Sequence, residues 1–358
     1  MADLSPIIDP IAAAIYQQHE IRESKEPTRG YAGASSIGKE CARMLWYSFR
    51  WAVIEQFDGR MLRLFQTGHL AEPRFAAELR SIGAIVHEYD PATGKQFAYA
   101  DYGGHARGHC DGMASNLPGG GKKAHVVEYK THSAKSFKIL AEKKVKEAKP
   151  EHYAQMTWYA GQAGVDRMLY LAVNKDTDEL HSERLEFDPV FYQQIQAKFE
   201  RVIFDKTPPP KIATDMKAYA CKFCVHIQIC HNHHVPAVNC RTCVHSTPER
   251  QGDGRWSCAK WGSDIPIEYQ RTGCPYHLHQ PFFLTYAAPV DAGDGWIEYE
   301  RLNNKTRFVV LVDGQAPPAA TLPHYSSHEI AAAKDHRAIC DPSVEEIKTK
   351  YPGTTIAG

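Results

Sequence analysis

Glu128 and Lys130 stand two apart in the run Val126-Val127-Glu128-Tyr129-Lys130, which reads as a strand. In a strand, side chains two apart share a face, so Glu128 and Lys130 project together while Val127 and Tyr129 face the other way. Three further signals lie around this run in chain order: Glu72 in GHLAEP, Asp111 in GHCDG, and Gln155 with Tyr159 in QMTWY. An ExK triplet alone is common by chance, and solvated strand-edge charges are its ordinary explanation. An ordered set of four, in helix and strand contexts that fit, constrains the chain to a fold that gathers acids around one lysine.

The coarse pattern supplies such a fold. The sequence predicts helices over about 36–50 and 59–82, the second interrupted by Pro73. Strands follow near 84–89, 96–102, 106–114 and 124–130, then helices near 134–148 and 151–163. Strands at 167–173 and 180–187 and a helix at 189–205 complete a mixed α/β core. Asp111 ends one strand and lies beside Glu128 if the two strands pair, and Glu72 closes the site from the earlier helix.

Three carboxylates converging on one point repel each other unless a cation sits between them. Hard oxygen ligands select Mg²⁺ or Mn²⁺ over Zn²⁺. A metal there would lower the pKa of a bound water and neutralise charge on a phosphodiester, with Lys130 orienting the water or stabilising the transition state. Gln155 and Tyr159, one helical turn apart, share a face and can position the lysine or a phosphate.

The ordered residues Gly68 with Glu72, Asp111 with Gly112, Glu128 with Lys130, and Gln155 with Tyr159 resemble the PD-(D/E)xK nuclease superfamily. The similarity is to the branch of lambda exonuclease, YqaJ-type phage recombinases and RecB nuclease domains, and it covers roughly residues 30–205. It implies a restriction-endonuclease-like mixed sheet flanked by helices, and a DNA exonuclease in preference to an endonuclease. It also implies an upstream phosphate-binding patch, for which Arg29, Ser35 and Ser36 are the candidates, although Ser-Ser before a helix is also an ordinary N-cap. RecB-type members often place a histidine on the helix; here Glu72 takes that role and His69 is the second choice.

Seven of the ten cysteines fall between Cys221 and Cys274, two pairs of them at CxxC spacing. In a reducing compartment this reads as metal or cluster ligation rather than disulfides. Cys221, Cys224 and Cys230 are one thiolate short of a closed site, and Cys41 is the candidate fourth. Zinc and iron–sulfur fit that spacing equally. A lone early cysteine with three beyond the nuclease core resembles the AddB and CRISPR-associated RecB-like nucleases, which implies a 4Fe-4S cluster stapling the first helix to the tail of the nuclease domain. Cys240, Cys243, Cys258 and Cys274 form a second set suited to tetrahedral Zn²⁺, with a second iron–sulfur cluster as the alternative, His245, His277 or His279 as substitute ligands and a turn at Gly252 and Gly254 returning Cys258. Cys110 and Cys340 have no partners in sequence.

Composition divides the chain into a nuclease core over 1–207, a cysteine- and histidine-rich metal-binding region over 208–280, and a small α+β appendage over 281–358. In the appendage, a hairpin is expected around Asn303–Asn304, a helix after the Ser326–Glu329 capping pair, and another at Asp341–Pro342. The metal of the middle region is expected to substitute for a core. Net charge is zero, with 42 acidic and 42 basic residues, so any nucleic-acid footprint must be local. Residues 122–149 hold nine lysines. Lys135 and Lys138 follow the ExK strand and are DNA-contact candidates, although such a run is also an ordinary solvated helix face.

No apolar run approaches the roughly 20 residues that cross a bilayer. The first 20 residues carry Asp3 and Asp9 and no basic stretch, so no secretory signal is expected and the cytoplasm is the expected compartment. These features lead to a Mg²⁺-dependent DNA-end exonuclease of phage-type recombination or repair, which would leave single strands for an annealing protein. The alternatives are a single-strand-end nuclease of CRISPR-adaptation or repair type, a restriction-type endonuclease, and a non-catalytic DNA-binding scaffold.

Overall fold

The computed structural model describes residues 9–319, 321–333 and 335–350, less the side chains of residues 348 and 349. Asp3 in the N-terminal segment, and the last eight residues of the expected appendage, lie outside the described residues.

The first half alternates helices and strands around one mixed sheet. Its helices are α1 (Pro10–Glu23), α2 (Ala34–Ile37), α3 (Ala42–Phe49), α4 (Gly59–Ser81), α5 (Ala134–Ala148), α6 (Pro150–Ala163) and α7 (Pro189–Phe204). Its strands are β1 (Ala32–Gly33), β2 (Ile85–His87), β3 (Ala98–Asp101), β4 (Ala106–His109), β5 (Gly112–Ser115), β6 (His125–His132), β7 (Arg167–Asn174) and β8 (Leu180–Glu186). The central sheet has the order β2-β5-β6-β7-β8, with β6 and β7 parallel and the other neighbours antiparallel. The β6–β7 crossover runs through α5 and α6, as a parallel pair requires.

The period-two rule sorts the sheet faces as expected. Val127, Tyr129, Leu169, Leu171 and Val173 pack with Phe75, Ala76 and Leu79 of α4. Val126, Met168, Tyr170 and Ala172 face the opposite core, with Met156, Trp158 and Tyr159 of α6 and Ile195 and Phe199 of α7. Glu128 shares the face of Val126, beneath α6.

Three expected elements differ. The strand over 106–114 is two strands in two sheets. β4 pairs with β1 and β3, the chain breaks at Cys110–Asp111, and β5 joins the central sheet. Gly112 makes the switch possible, because a Cβ there would meet the His87 carbonyl oxygen at 2.8 Å. The helix over 36–50 is two short helices, parted at Gly38 and restarted by Cys41, whose sulfur accepts from the Met44 amide at 3.4 Å. Pro73 does not interrupt α4, which runs unbroken over 23 residues. Pro removes only one donor, and the packed face of Phe75, Ala76 and Leu79 holds the helix through it.

The cysteine-rich stretch contains α8 (Ile227–His231) and a sheet of β9 (Ser246–Pro248), β10 (Trp256–Cys258) and β11 (Ser263–Asp264). Gly252 and Gly254, at φ +106 and +73, make the expected turn that returns Cys258. The stretch borrows apolar cores from its neighbours, which the expectation of a metal-only centre did not foresee. Trp256 belongs to the main cluster, while Ile229 and Leu278 join the appendage cluster.

The appendage is a four-stranded sheet of β12 (Ala287–Gly293), β13 (Trp296–Arg301), β14 (Arg307–Leu311) and β15 (His324–Ser326), followed by α9 (Ser327–Ala332) and α10 (Pro342–Lys350). The hairpin turns at Asn303–Asn304, the Ser326–Glu329 capping box opens α9, and Pro342 opens α10, all as expected. Its core residues Tyr299, Phe308 and Val310 join Trp46 and Tyr47 of α3 in one cluster. Among the described residues, no helix is long and apolar enough to cross a membrane.

Candidate active site

Strand β6 delivers Glu128 and Lys130 to one spot. Glu128 is wholly buried; its Oε1 accepts from Lys130 Nζ, and its Oε2 has no partner among the described residues. Asp111, at the strand switch, is tied to the same strand: its Oδ2 accepts from the Tyr129 amide at 2.7 Å. Glu72, on the exposed turn of α4 before the packed face, accepts from His69 Nδ1 at 3.0 Å. His69 is thus a neighbour of Glu72, with a side chain 78% exposed.

The electrostatics show that the four charges share one field. Burial pushes the Glu128 carboxyl up to about 8; Lys130 opposes the shift, and Asp111 and Glu72 add to it. Glu72 is raised by burial and by Asp111. Burial alone would lower Lys130, yet Glu128, Asp111 and Glu72 together hold its ammonium above the ordinary lysine value. Gln155 and Tyr159 come down from α6, both buried. The Tyr159 hydroxyl is raised by burial and by nearby Glu128, against a hydrogen bond with Gln155.

These residues open onto one cleft of about 3280 Å³. Its walls include Glu72, Asp111, Lys130, Gln155 and Tyr159, together with Arg29, Ser35 and Ser36. Neither serine caps α2: the N-cap is Gly33, and the Ser36 hydroxyl donates to the Gly33 carbonyl at 3.0 Å. The lysine run divides. Lys149 lines the cleft, whereas Lys135 and Lys138 lie on the exposed face of α5, outside the cleft wall. Lys144, at φ +65, breaks the helix, so the run is not one continuous basic face.

Other cleft residues were not read from sequence. Lys39, Arg107, Arg255 and Arg271 line it, and Arg107 is held by the Gly104 carbonyl and Asp253. Their convergence joins segments as distant in sequence as Lys39 and Arg271, which no local motif announces. His132 and His152 also line the cleft, and both left a faint trace: His132 continues the alternation Glu128-x-Lys130-x-His132, and His152 stands one turn before Gln155.

The first cysteine set lines one small cavity. Cys41, Cys221, Cys224 and Cys230 surround a small cavity that His231 also lines, with Cys221 Sγ 3.8 Å from His231 Nε2. The Cys224 thiol is raised by burial and then by Cys41, Cys230 and Cys221. Cys240 is pushed up to about 11 by burial and then by Cys243, Cys274 and Cys258. His277 and His279 are buried, with their Nε2 atoms against the backbone oxygens of Asn239 and Pro236, at 3.1 and 3.0 Å. Cys110 is buried, and its thiol is pushed up to about 12 by that burial. Among the described residues, no group of three or more His, Cys, Asp or Glu side chains is placed to hold a metal ion, so neither the expected acidic Mg²⁺ set nor the two expected cysteine sets is seen as an assembled metal site. At the acidic site the Lys130 ammonium is drawn onto Glu128 and supplies the local positive charge.

The chain is similar to an alkaline exonuclease, LHK-Exo, from Laribacter hongkongensis: 15% identity and a TM-score of 0.32 over 52% of this chain and 90% of that one. A structure of LHK-Exo in complex with dAMP gives 16% identity and a TM-score of 0.34 over 53% and 89%. The structure of SSO0001 gives 14% identity and a TM-score of 0.38 over 62% and 95%. No family profile and no curated protein matches the chain.

Proposed function

We propose that this chain is a divalent-metal-dependent deoxyribonuclease that hydrolyses phosphodiester bonds at DNA ends. The observation that carries the reading is the buried carboxylate Glu128, with one oxygen on Lys130 and the other unpartnered, next to Asp111 and Glu72. A buried, half-satisfied carboxylate among like charges is costly unless it takes up a proton or a cation. Glu72, Asp111 and Glu128 offer only oxygen donors, the kind that selects Mg²⁺ or Mn²⁺, although the three are not gathered into an ion-holding group in this structure.

Such an ion would polarise the scissile phosphate and activate a water. The chain's own residues have separable tasks. Glu128 must ionise to serve, and Lys130 holds it in place and is set to face negative charge building on the phosphate. Gln155 and Tyr159, on α6, line the same cleft as Lys130 and would restrict where a phosphate can sit. Lys39, Arg29 and Arg107 offer positive charge along the cleft without a base-reading element, consistent with contact to the backbone rather than to sequence.

The cysteine sets support two further assignments. Four thiols around one cavity suit an iron–sulfur cluster of the 4Fe-4S type on Cys41, Cys221, Cys224 and Cys230. Cys240, Cys243, Cys258 and Cys274 suit structural Zn²⁺. Both would be structural, the first fastening α3 to the segment that follows α7. A role in recombination or repair, handing single strands to an annealing protein in the cytoplasm, belongs to the same reading.

The test is cleavage of labelled linear and closed circular DNA with Mg²⁺ or Mn²⁺. Degradation of linear DNA alone, lost in Glu128→Ala while DNA binding persists, is the expected result. Equal attack on closed circles would make the protein an endonuclease. No cleavage with either ion would leave a non-catalytic DNA-binding scaffold.

A further inference from the structure

We infer that His152 is a substrate-contacting residue, a neutral N–H donor for a DNA phosphate oxygen, locked in that form by a one-way hydrogen-bond chain that begins at Lys149. The inference rests on the cleft being a DNA site.

Four contacts build the chain. Lys149 Nζ lies 2.6 Å from Ser136 Oγ. Ser136 Oγ lies 3.2 Å from His132 Nδ1, and His132 Nε2 lies 2.8 Å from the Tyr170 hydroxyl. The same hydroxyl lies 2.9 Å from His152 Nδ1. Lys149, His132 and His152 line the cleft, and Tyr170 is fully buried beneath them. The β6–β7 register sets Tyr170 directly beside Glu128, so the chain runs alongside the acidic site.

Donor and acceptor counting leaves two directions, because a serine oxygen can accept twice, and Lys149 selects between them. A lysine ammonium can only donate, so Ser136 Oγ accepts from it. An oxygen already bonded to an ammonium is the better donor, so the serine proton goes to His132 Nδ1, and a neutral His132 then carries its own proton on Nε2. That N–H donates to the Tyr170 oxygen, whose one proton goes on to His152 Nδ1. His152 is left with its proton on Nε2, the nitrogen with no protein partner among the described residues, on a ring that lines the cleft. Burial holds both imidazoles neutral, with His132 lowered to about 4 and His152 to about 2. The two rings and the phenol lie at 23–29° to one another, which fixes the ring planes as well as the protons.

A donor held in this way needs no reorganisation when an anion arrives. A phosphodiester oxygen is the acceptor that suits it: it is anionic and it is present in every nucleotide that passes Lys130. Because the donor is neutral, it binds that oxygen without adding charge that would compete with the acidic site for its cation.

The experiment has two parts. Long-range ¹H–¹⁵N correlation of the histidine rings, on protein without DNA, should find His132 and His152 in the Nε2–H form, and Tyr170→Phe should release His152 to a mixture. Binding of a fluorescein-labelled duplex in EDTA, at a temperature where every variant is folded, should then weaken on the order of ten-fold in His152→Ala, as expected for a hydrogen bond to a charged group, and by only about two-fold in Tyr170→Phe, where part of His152 keeps the Nε2–H form. His152→Gln should recover part of the loss. An Nδ1–H form of His152, or wild-type affinity in His152→Ala, would overturn the inference. Failure of the nuclease reading would look different: the tautomers and the affinity effect would stand, and no variant, nor the parent protein, would cleave.

Discussion

Lys130 Nζ donates to Glu128 Oε1 from two residues along the same strand face, and this leaves Glu128 Oε2 buried without a partner among the described residues. The pair therefore stabilises the fold poorly, and replacing the acid should separate stability from activity. Glu128→Gln keeps the shape and still accepts from Lys130, but it has no charge to bury. The folded carboxyl titrates near 8 against an ordinary 4.5. Its stabilising protonated form is fully present below about pH 4.5 and is lost as pH rises through 8. In metal-free protein, Glu128→Gln should lie within about 1 kcal/mol of the parent at pH 5 and gain on it by a further ~3 kcal/mol by pH 8, at about 1.4 kcal/mol per pKa unit. Thermal melts at the two pH values check this, and cleavage should be abolished in the same variant.

Buried histidines work in the opposite sense. His105, His132, His226 and His277 are each lowered to about 4, first by burial, and His152 to about 2. A depressed folded pKa means that the unfolded chain binds the extra proton. The stability is complete above about 6.5 and is lost as pH falls toward 4. Five groups outweigh the single opposing Glu128. Urea midpoints should fall between pH 7 and pH 5 by the equivalent of a few kcal/mol, given about 1.4 kcal/mol per pKa unit. A flat profile over that range would show that these rings are accessible to water.

Much of this site was legible because its signals are local. Glu128 and Lys130 needed only the period of a strand, and Gln155 and Tyr159 only the turn of a helix. The α5, α6, β7, β8 and α7 boundaries followed from patterning for the same reason. What could not be read depended on distant segments. The break at Asp111 arises because β4 and β5 serve different sheets; Gly112 permits the switch, but the partners that require it, β1 and β2, lie far from residues 106–114 in sequence. The cleft's Arg107 is set by Asp253, 146 positions away. Lys135 and Lys138 had the charge and the place in sequence, but α5 turns them away from the cleft wall.

Gly108 is a second handle on the site. A Cβ there would meet the Tyr159 hydroxyl at 2.6 Å and the Ala34 Cβ at 2.8 Å. Gly108→Ala must therefore displace Tyr159 from beside Gln155. The overpacking should cost about 1–3 kcal/mol in stability. Cleavage should fall at least as far as in Tyr159→Phe, which loses only the hydroxyl, and a comparison of initial rates decides the point. Full activity in Gly108→Ala would mean that the Tyr159 ring position is irrelevant to the reaction.

The cysteines divide into sets that metal analysis can tell apart. Cys41 both caps α3 through the Met44 amide and stands with Cys221, Cys224 and Cys230 around one cavity. Cys258 belongs to the other set, on β10. Protein purified without oxygen should absorb in the visible range and carry iron together with about one zinc. Cys41→Ala should lose the iron and keep the zinc, and Cys258→Ala should do the reverse, because the sets share no ligand. Cys41→Ser retains a side chain able to cap α3, so iron loss in both Cys41 variants identifies ligation rather than helix unravelling as the cause. Two zincs in a colourless parent protein would keep both sites and replace the cluster. If cleavage falls in Cys221→Ala while iron and zinc are unchanged, the cluster does not act as a staple between α3 and the segment after α7.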